Sequence, residues 1–122
     1  MNDQDLSLSQ DGEATLKVMI QPCSSKGSVD PADIPDNFIV SDWNQLMGTK
    51  DYYFKITVVS AKNLPSSYSK DAIVRYNLPH EEHPKFEYWT TRDRGVNSCP
   101  TWKSSHVHHI PEVTKEVVEK ML

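Results

Sequence analysis

The chain has 122 residues, with 13 Lys and Arg against 17 Asp and Glu and a formal net charge of -4. That length suits one small domain. The acidic balance, with no basic run longer than two residues, argues against a general nucleic-acid binder, which carries a basic face.

Hydrophobic residues make up 37% and charged residues 25% of the chain, a soluble composition with a modest core. No apolar run approaches the roughly 18 residues of a membrane span. The opening MNDQDLSLSQDGE is acidic and polar, unlike a signal peptide. Cys23 and Cys99 are accordingly expected as free thiols of a reducing cytosol rather than as a disulfide.

In chain order, residues 1–13 carry few bulky apolar side chains and are expected to be disordered. Leu16, Val18 and Ile20 then alternate with Lys17 and Met19, which predicts a strand over 14–23 that Pro22 terminates. Residues 24–40 are rich in Ser, Gly, Asp and Pro and read as a linker or loop. A loop of that length is long for a compact domain, so the first strand either joins the module across it or lies outside. Around 41–48 the pattern predicts a short helix. Ser41 or Asp42 caps its start, Gly48 its end, and Trp43, Leu46 and Met47 share a face.

The clearest strand follows at 51–61. Phe54, Ile56 and Val58 alternate with Lys55 and Thr57, giving one dry and one wet face. The cluster 63–67 is a turn. A second strand is expected at 71–78, with Ala72, Val74, Tyr76 and Leu78 on one side. A connection at 79–84 leads to a third strand with Phe86, Tyr88 and Thr90 facing Glu87, Trp89 and Thr91. Residues 93–98 read as a loop. Trp102, Ser104, His106 and His108 form one face of a fourth strand, which Pro111 is expected to end. Thr114 then caps a helix in which Glu116 and Lys120 suit the positive and negative poles.

The expected fold is therefore mainly β: an antiparallel β-sandwich, incomplete, with one or two short helices. Four or five strands leave a sheet edge open, and a sandwich normally has seven or more. The chain is accordingly expected to be a fragment of a longer protein.

Two resemblances attach to these motifs. Val58 to Pro65, the strand beginning Asp71-Ala72-Ile73-Val74-Arg75-Tyr76, and Cys99-Pro100-Thr101-Trp102 resemble the strand, bend and Asn-Pro-x-Trp order of C2 domains, with Cys99 in place of the Asn. Over roughly residues 16–122 the chain also resembles the conserved tail region of the kinesin-three subfamily. That likeness runs through the strand ending at Pro22-Cys23, Leu46-Met47-Gly48-Thr49-Lys50, the strand from Phe54 to Pro65, the aspartate-led strand from Asp71 to Tyr76, the glutamates before the aromatic strand at Glu81 to Tyr88, Pro100 to Trp102, His106 to His109, and Val113 to Val118. It implies a C2-like module over 41–122, truncated at its C-terminus. The function implied is a non-catalytic part of a microtubule motor that binds cargo or partners or regulates the motor, in the cytoplasm and on the cytoskeleton. The expected partners are proteins, a cargo adaptor or other parts of the motor chain. Microtubules would be reached only through a motor domain that this sequence lacks, for it holds no Gly-x-x-x-x-Gly-Lys-Ser/Thr phosphate loop. The alternative is a calcium-independent C2 module that binds phospholipid. Lys55, Lys62, Lys70, Arg75, Lys85, Arg92, Arg94 and Lys103 are balanced too evenly by Glu81, Glu82, Glu87 and Asp93 to favour a membrane.

No catalytic, cofactor or metal site is expected, and each candidate has a plainer reading. Calcium needs several converging oxygens, but the loop at 65–71 supplies Asp71 with Ser66, Ser67 and Ser69, so Asp71 reads as a turn cap. His80 and His83, and His106 with His108 and His109, have metal-like spacing. Structural zinc needs four closed ligands, however, and a surface or core role is favoured. Cys99 with nearby histidines has the elements of a Cys-His pair, with Arg94 as the available cation. A small buried thiol is the simpler reading. Most aromatics read as core, while Trp89 and Tyr53 point away from their strands' inward sets.

Overall fold

The computed structural model describes residues 3–7, 14–40, 42–78 and 87–121. The strands are β1 (Asp3–Ser7), β2 (Thr15–Pro22), β3 (Lys50–Lys62), β4 (Lys70–Ala72), β5 (Arg75–Tyr76), β6 (Tyr88–Trp89), β7 (Asp93–Val96) and β8 (Thr101–Glu112). One α-helix, α1 (Lys115–Met121), follows them.

The structure is organised on β3, whose period-two pattern turns Tyr52, Phe54, Ile56 and Val58 to one buried face. β2 and β8 flank it antiparallel, and β1 adds outside β2, giving the order β1-β2-β3-β8. Ile56 lies opposite Ile20 and His106, Phe54 opposite Pro22 and His108, and Tyr52 opposite Ile110. Pro22 sits beyond the last β1–β2 partner, Met19, so its missing N–H costs no bond on that side. The β3–β8 register shifts between Val58 and Ser60. Such a bulge switches which residues face inward, so Ala61, not Ser60, continues the buried row. Opposite the shift, Lys103 takes a φ of 47°.

A second layer lies over the inner face as two separate ladders, β4 with β7 and β5 with β6. Hydrogen bonds among the described residues tie them to β8. The Trp102 indole donates to the Ala72 carbonyl at 3.1 Å. His106 Nε2 donates to the Trp89 carbonyl at 2.8 Å. Tyr76 Oη and His108 Nε2 are 2.8 Å apart. Because this layer is divided, the described residues form a mainly-β, antiparallel, incomplete sandwich with one short helix.

One end of the layers is closed by aromatic packing. Trp43 sets its ring edge-on to Tyr52 and Phe54, and Phe38 does the same to Tyr52 at 4.9 Å. Gly48 and Thr49 exchange backbone bonds with Val113 at 2.8 Å each, which seats α1 and its buried Val118 beside Leu46. Thr114 Oγ1 accepts from Val117 N, a side-chain cap, as its position predicts.

Several expectations are corrected. Residues 3–7, expected to be disordered, pair with β2. β2 has partners on both sides, so it is an interior strand of the module and not a segment leading into it. The 24–40 segment is a loop, as read, but it is pinned by buried Ile34 and Phe38 and by two 3-10 turns. The helix expected at 41–48 is a four-residue 3-10 turn, Trp43–Leu46, capped by Asp42. Three residues per turn separate what an α-helix would align, so Leu46 is buried while Met47 is exposed. Ser41 lies outside the described residues.

The single strand expected at 71–78 is broken into β4 and β5, which join different ladders. Val74 and Thr90 explain the break: Thr90 Oγ1 accepts from Val74 N, and Thr90 N donates to the Val74 carbonyl. Of the third strand, Tyr88–Trp89 forms among the described residues, and Phe86 lies outside them. The loop expected at 93–98 contains β7, which pairs with β4. Pro111 does not end the last strand. β8 is the outer strand of the sheet among the described residues, where a residue without an N–H is tolerated.

Candidate partner-binding cleft

Where β4 gives way to β5 the two ladders part, and a cleft of about 460 Å³ opens between the layers. The sheet contributes Leu16, Ala61 and Trp102, and the bend after β3 contributes Leu64 and Pro65. The broken strand supplies Ala72, Ile73 and Val74, with Arg75 as the charged group among the described lining residues. The opening has a direct cause in side-chain size. Ala61 and Ala72 are buried, inward-facing positions, and a methyl group leaves unfilled space where a larger residue would close the layers.

Arg75 is held rather than loose. Its guanidinium lies 5.4 Å from the centre of the Trp89 ring, a cation–π distance. Its Nη1 is 3.9 Å from Glu87 Oε1, and its side chain is 60% exposed. The Trp102 ring is fixed in the lining by its bond to the Ala72 carbonyl.

The histidines are distributed differently. His106 and His108 do share the inner face, as their spacing predicts, with ring centres 6.4 Å apart. Their Nε2 atoms are engaged by the second layer, His106 with the Trp89 carbonyl and His108 with the Tyr76 hydroxyl. His108 is buried and meets Tyr88 edge-on at 4.4 Å and Phe54 at 5.3 Å. The pair acts as a latch between layers. His109 is on the opposite face, bonded to Asp51 Oδ1 at 2.9 Å and stacked on Tyr53 at 4.6 Å. His80 and His83 lie outside the described residues. Among the described residues no group of three or more His, Cys, Asp or Glu is placed to hold a metal ion.

Asp71 has a structural task. Its Oδ1 accepts from Gly95 N at 2.8 Å, bracing β4 against β7. The turn role read from the sequence thus becomes a cross-strand one. Cys99 corrects the expectation of a buried thiol, since it is exposed while Cys23 is the buried one. The backbone N–H of Asn63 and the Ser98 hydroxyl, bonded to Cys99 Sγ, hold that thiol below its ordinary range, with help from Lys62. Burial pushes the Cys23 thiol up, partly offset by Lys55. Burial also pushes the Tyr52 hydroxyl well above its usual range, with the nearby Cys23 adding to it. Trp89 is 46% exposed, in line with its outward placement, and carries Arg75.

Sequence reasoning passed over the cleft. Arg75 appeared as one of many balanced charges, and Ala61 and Ala72 as ordinary strand residues. Ala72 shares the inward set of its strand, but Ala61 lies off the period of Phe54, Ile56 and Val58 and turns inward only through the register shift, so the sequence carries half of the signal.

No protein-family model matches the chain. No curated protein matches it either.

Proposed function

We propose that this protein is a non-catalytic binding module: a C2-like part of a kinesin-like microtubule motor's tail that attaches a cargo adaptor or another part of the motor chain. The single observation that carries the binding reading is the open, apolar cleft at the seam of the second layer, with Arg75 in its lining. Binding sites are concave, mostly apolar, and marked by few polar groups. The motor assignment draws on the motif order from Leu16 to Leu122. It places the chain in the cytoplasm, on the cytoskeleton.

The test compares the tagged wild type with Ala72→Leu, which narrows the cleft, in cytoplasmic extract. Recovery of a motor heavy chain or cargo adaptor with the wild type, lost in the variant, is the expected result. Equal recovery with both would remove the cleft from the account. Pelleting with anionic phospholipid vesicles in place of protein recovery would replace the proposal by lipid binding.

A further inference from the structure

We infer that the cleft receives a large aliphatic side chain immediately followed by a carboxylate, presented by an extended peptide of the partner. This rests on the partner-binding reading above and names the chemistry the partner must bring. About 460 Å³ is within the range of small ligand pockets. The lining from Leu16, Ala61, Leu64, Ala72 and Trp102 rewards an apolar body by removing it from water.

Charge decides the neighbouring group. Arg75 belongs to the lining, and its current acid, Glu87, stands at 3.9 Å. That is too long for a charge-assisted hydrogen bond, which lies near 2.7–2.9 Å. The guanidinium is oriented by Trp89 yet keeps donors for a closer carboxylate, since Arg presents five in a planar fork. Ile73, 37% exposed, gives apolar contact to the residue beside the anchor.

The experiment uses the full chain labelled with fluorotryptophan. The Trp102 fluorine resonance is assigned with Trp102→Phe and followed during titration with the peptide Ser-Leu-Leu-Glu-Ser, capped at both ends. Saturable movement of the Trp102 resonance, with Trp43 unmoved, is expected. The Ser-Leu-Leu-Gln-Ser peptide should bind about fivefold more weakly, because an exposed ion pair is worth at most about that much. Arg75→Ala should make the two peptides equal, and this surface variant keeps the test open where Ala72→Leu fails to fold. Equal binding of both peptides to the wild type, or no Trp102 movement at millimolar peptide, overturns the inference. Tighter saturation by octanoate than by the peptide overturns it too, in favour of a free fatty acid. Loss of peptide binding alongside Ala72-dependent recovery of a motor chain or adaptor sinks this inference and leaves the partner-binding proposal standing. Peptide binding without that recovery does the reverse.

Discussion

Tyr76 and His108, 32 residues apart, meet across the two layers with Oη and Nε2 2.8 Å from each other. β5 and β6 pair over only two residues each, and a ladder that short is not stable alone. Its position therefore depends on what β8 offers it: this bond, the His106 bond to the Trp89 carbonyl, and the aromatic contacts of Tyr76 and Tyr88 around the two imidazoles.

Tyr76→Phe is expected to destabilise the fold by about 1–2 kcal/mol, since it removes a hydrogen bond to a buried group while keeping the ring. Urea denaturation measures this. His106→Ala should have the wider effect, loosening the Trp89 carbonyl, and amide exchange of residues 88–90 should rise in that variant. Unchanged exchange there would show that the ladder is held by something else.

Tyr52→Phe should behave oppositely. The Tyr52 hydroxyl is fully buried and has no hydrogen-bond partner among the described residues. A buried hydroxyl without a partner costs about 1–3 kcal/mol, so its removal should raise stability by about 1 kcal/mol. The same pair of residues sets an alkaline limit. Cys23 and Tyr52 are both raised above their ordinary ranges by burial, so the folded state favours their protonated forms. That contribution is fully present below the unfolded values, about 8.5 for a thiol and about 10 for a phenol. It is lost as pH climbs through those values toward the raised folded ones. Thermal midpoints should fall from about pH 8.5 upward, and less steeply in Tyr52→Phe.

Cys99 should react first with iodoacetamide. It is exposed, and its thiolate is favoured by the Asn63 N–H and the Ser98 hydroxyl, whereas Cys23 is buried and raised. Thiolate is the reacting form. Mass spectrometry of a partly alkylated sample at neutral pH should find the label on Cys99. A label on Cys23 would contradict the placement of both.

The legible parts of the fold are those with long local patterns. β2, β3 and β8 alternate over many residues, and the alternation of Phe54, Ile56 and Val58 alone orients the core sheet. The second layer was not legible because its strands are two to four residues long and their pairing is fixed by distant groups. Asp71 bracing Gly95, and Thr90 substituting for a strand partner at Val74, are contacts between residues 24 and 16 positions apart. Burial in the 24–40 loop is hard to read because Ile34 stands singly between Asp33 and Pro35, and the run Phe38-Ile39-Val40 is too short to show a period, with Phe38 buried and Ile39 exposed. The cleft was hidden for a related reason: its defining feature is the space left by Ala61 and Ala72, and a sequence shows residues rather than gaps.

The central claim is that partners enter at the cleft between the ladders. A photoreactive benzophenone residue at Ile73, compared with the same residue at exposed Lys103 outside the cleft, tests it in one measurement. The account predicts that irradiation in cytoplasmic extract joins the Ile73 variant to a motor chain or cargo adaptor and leaves the Lys103 variant unjoined. Equal adducts at the two positions, or adducts to lipid alone at Ile73, would contradict it.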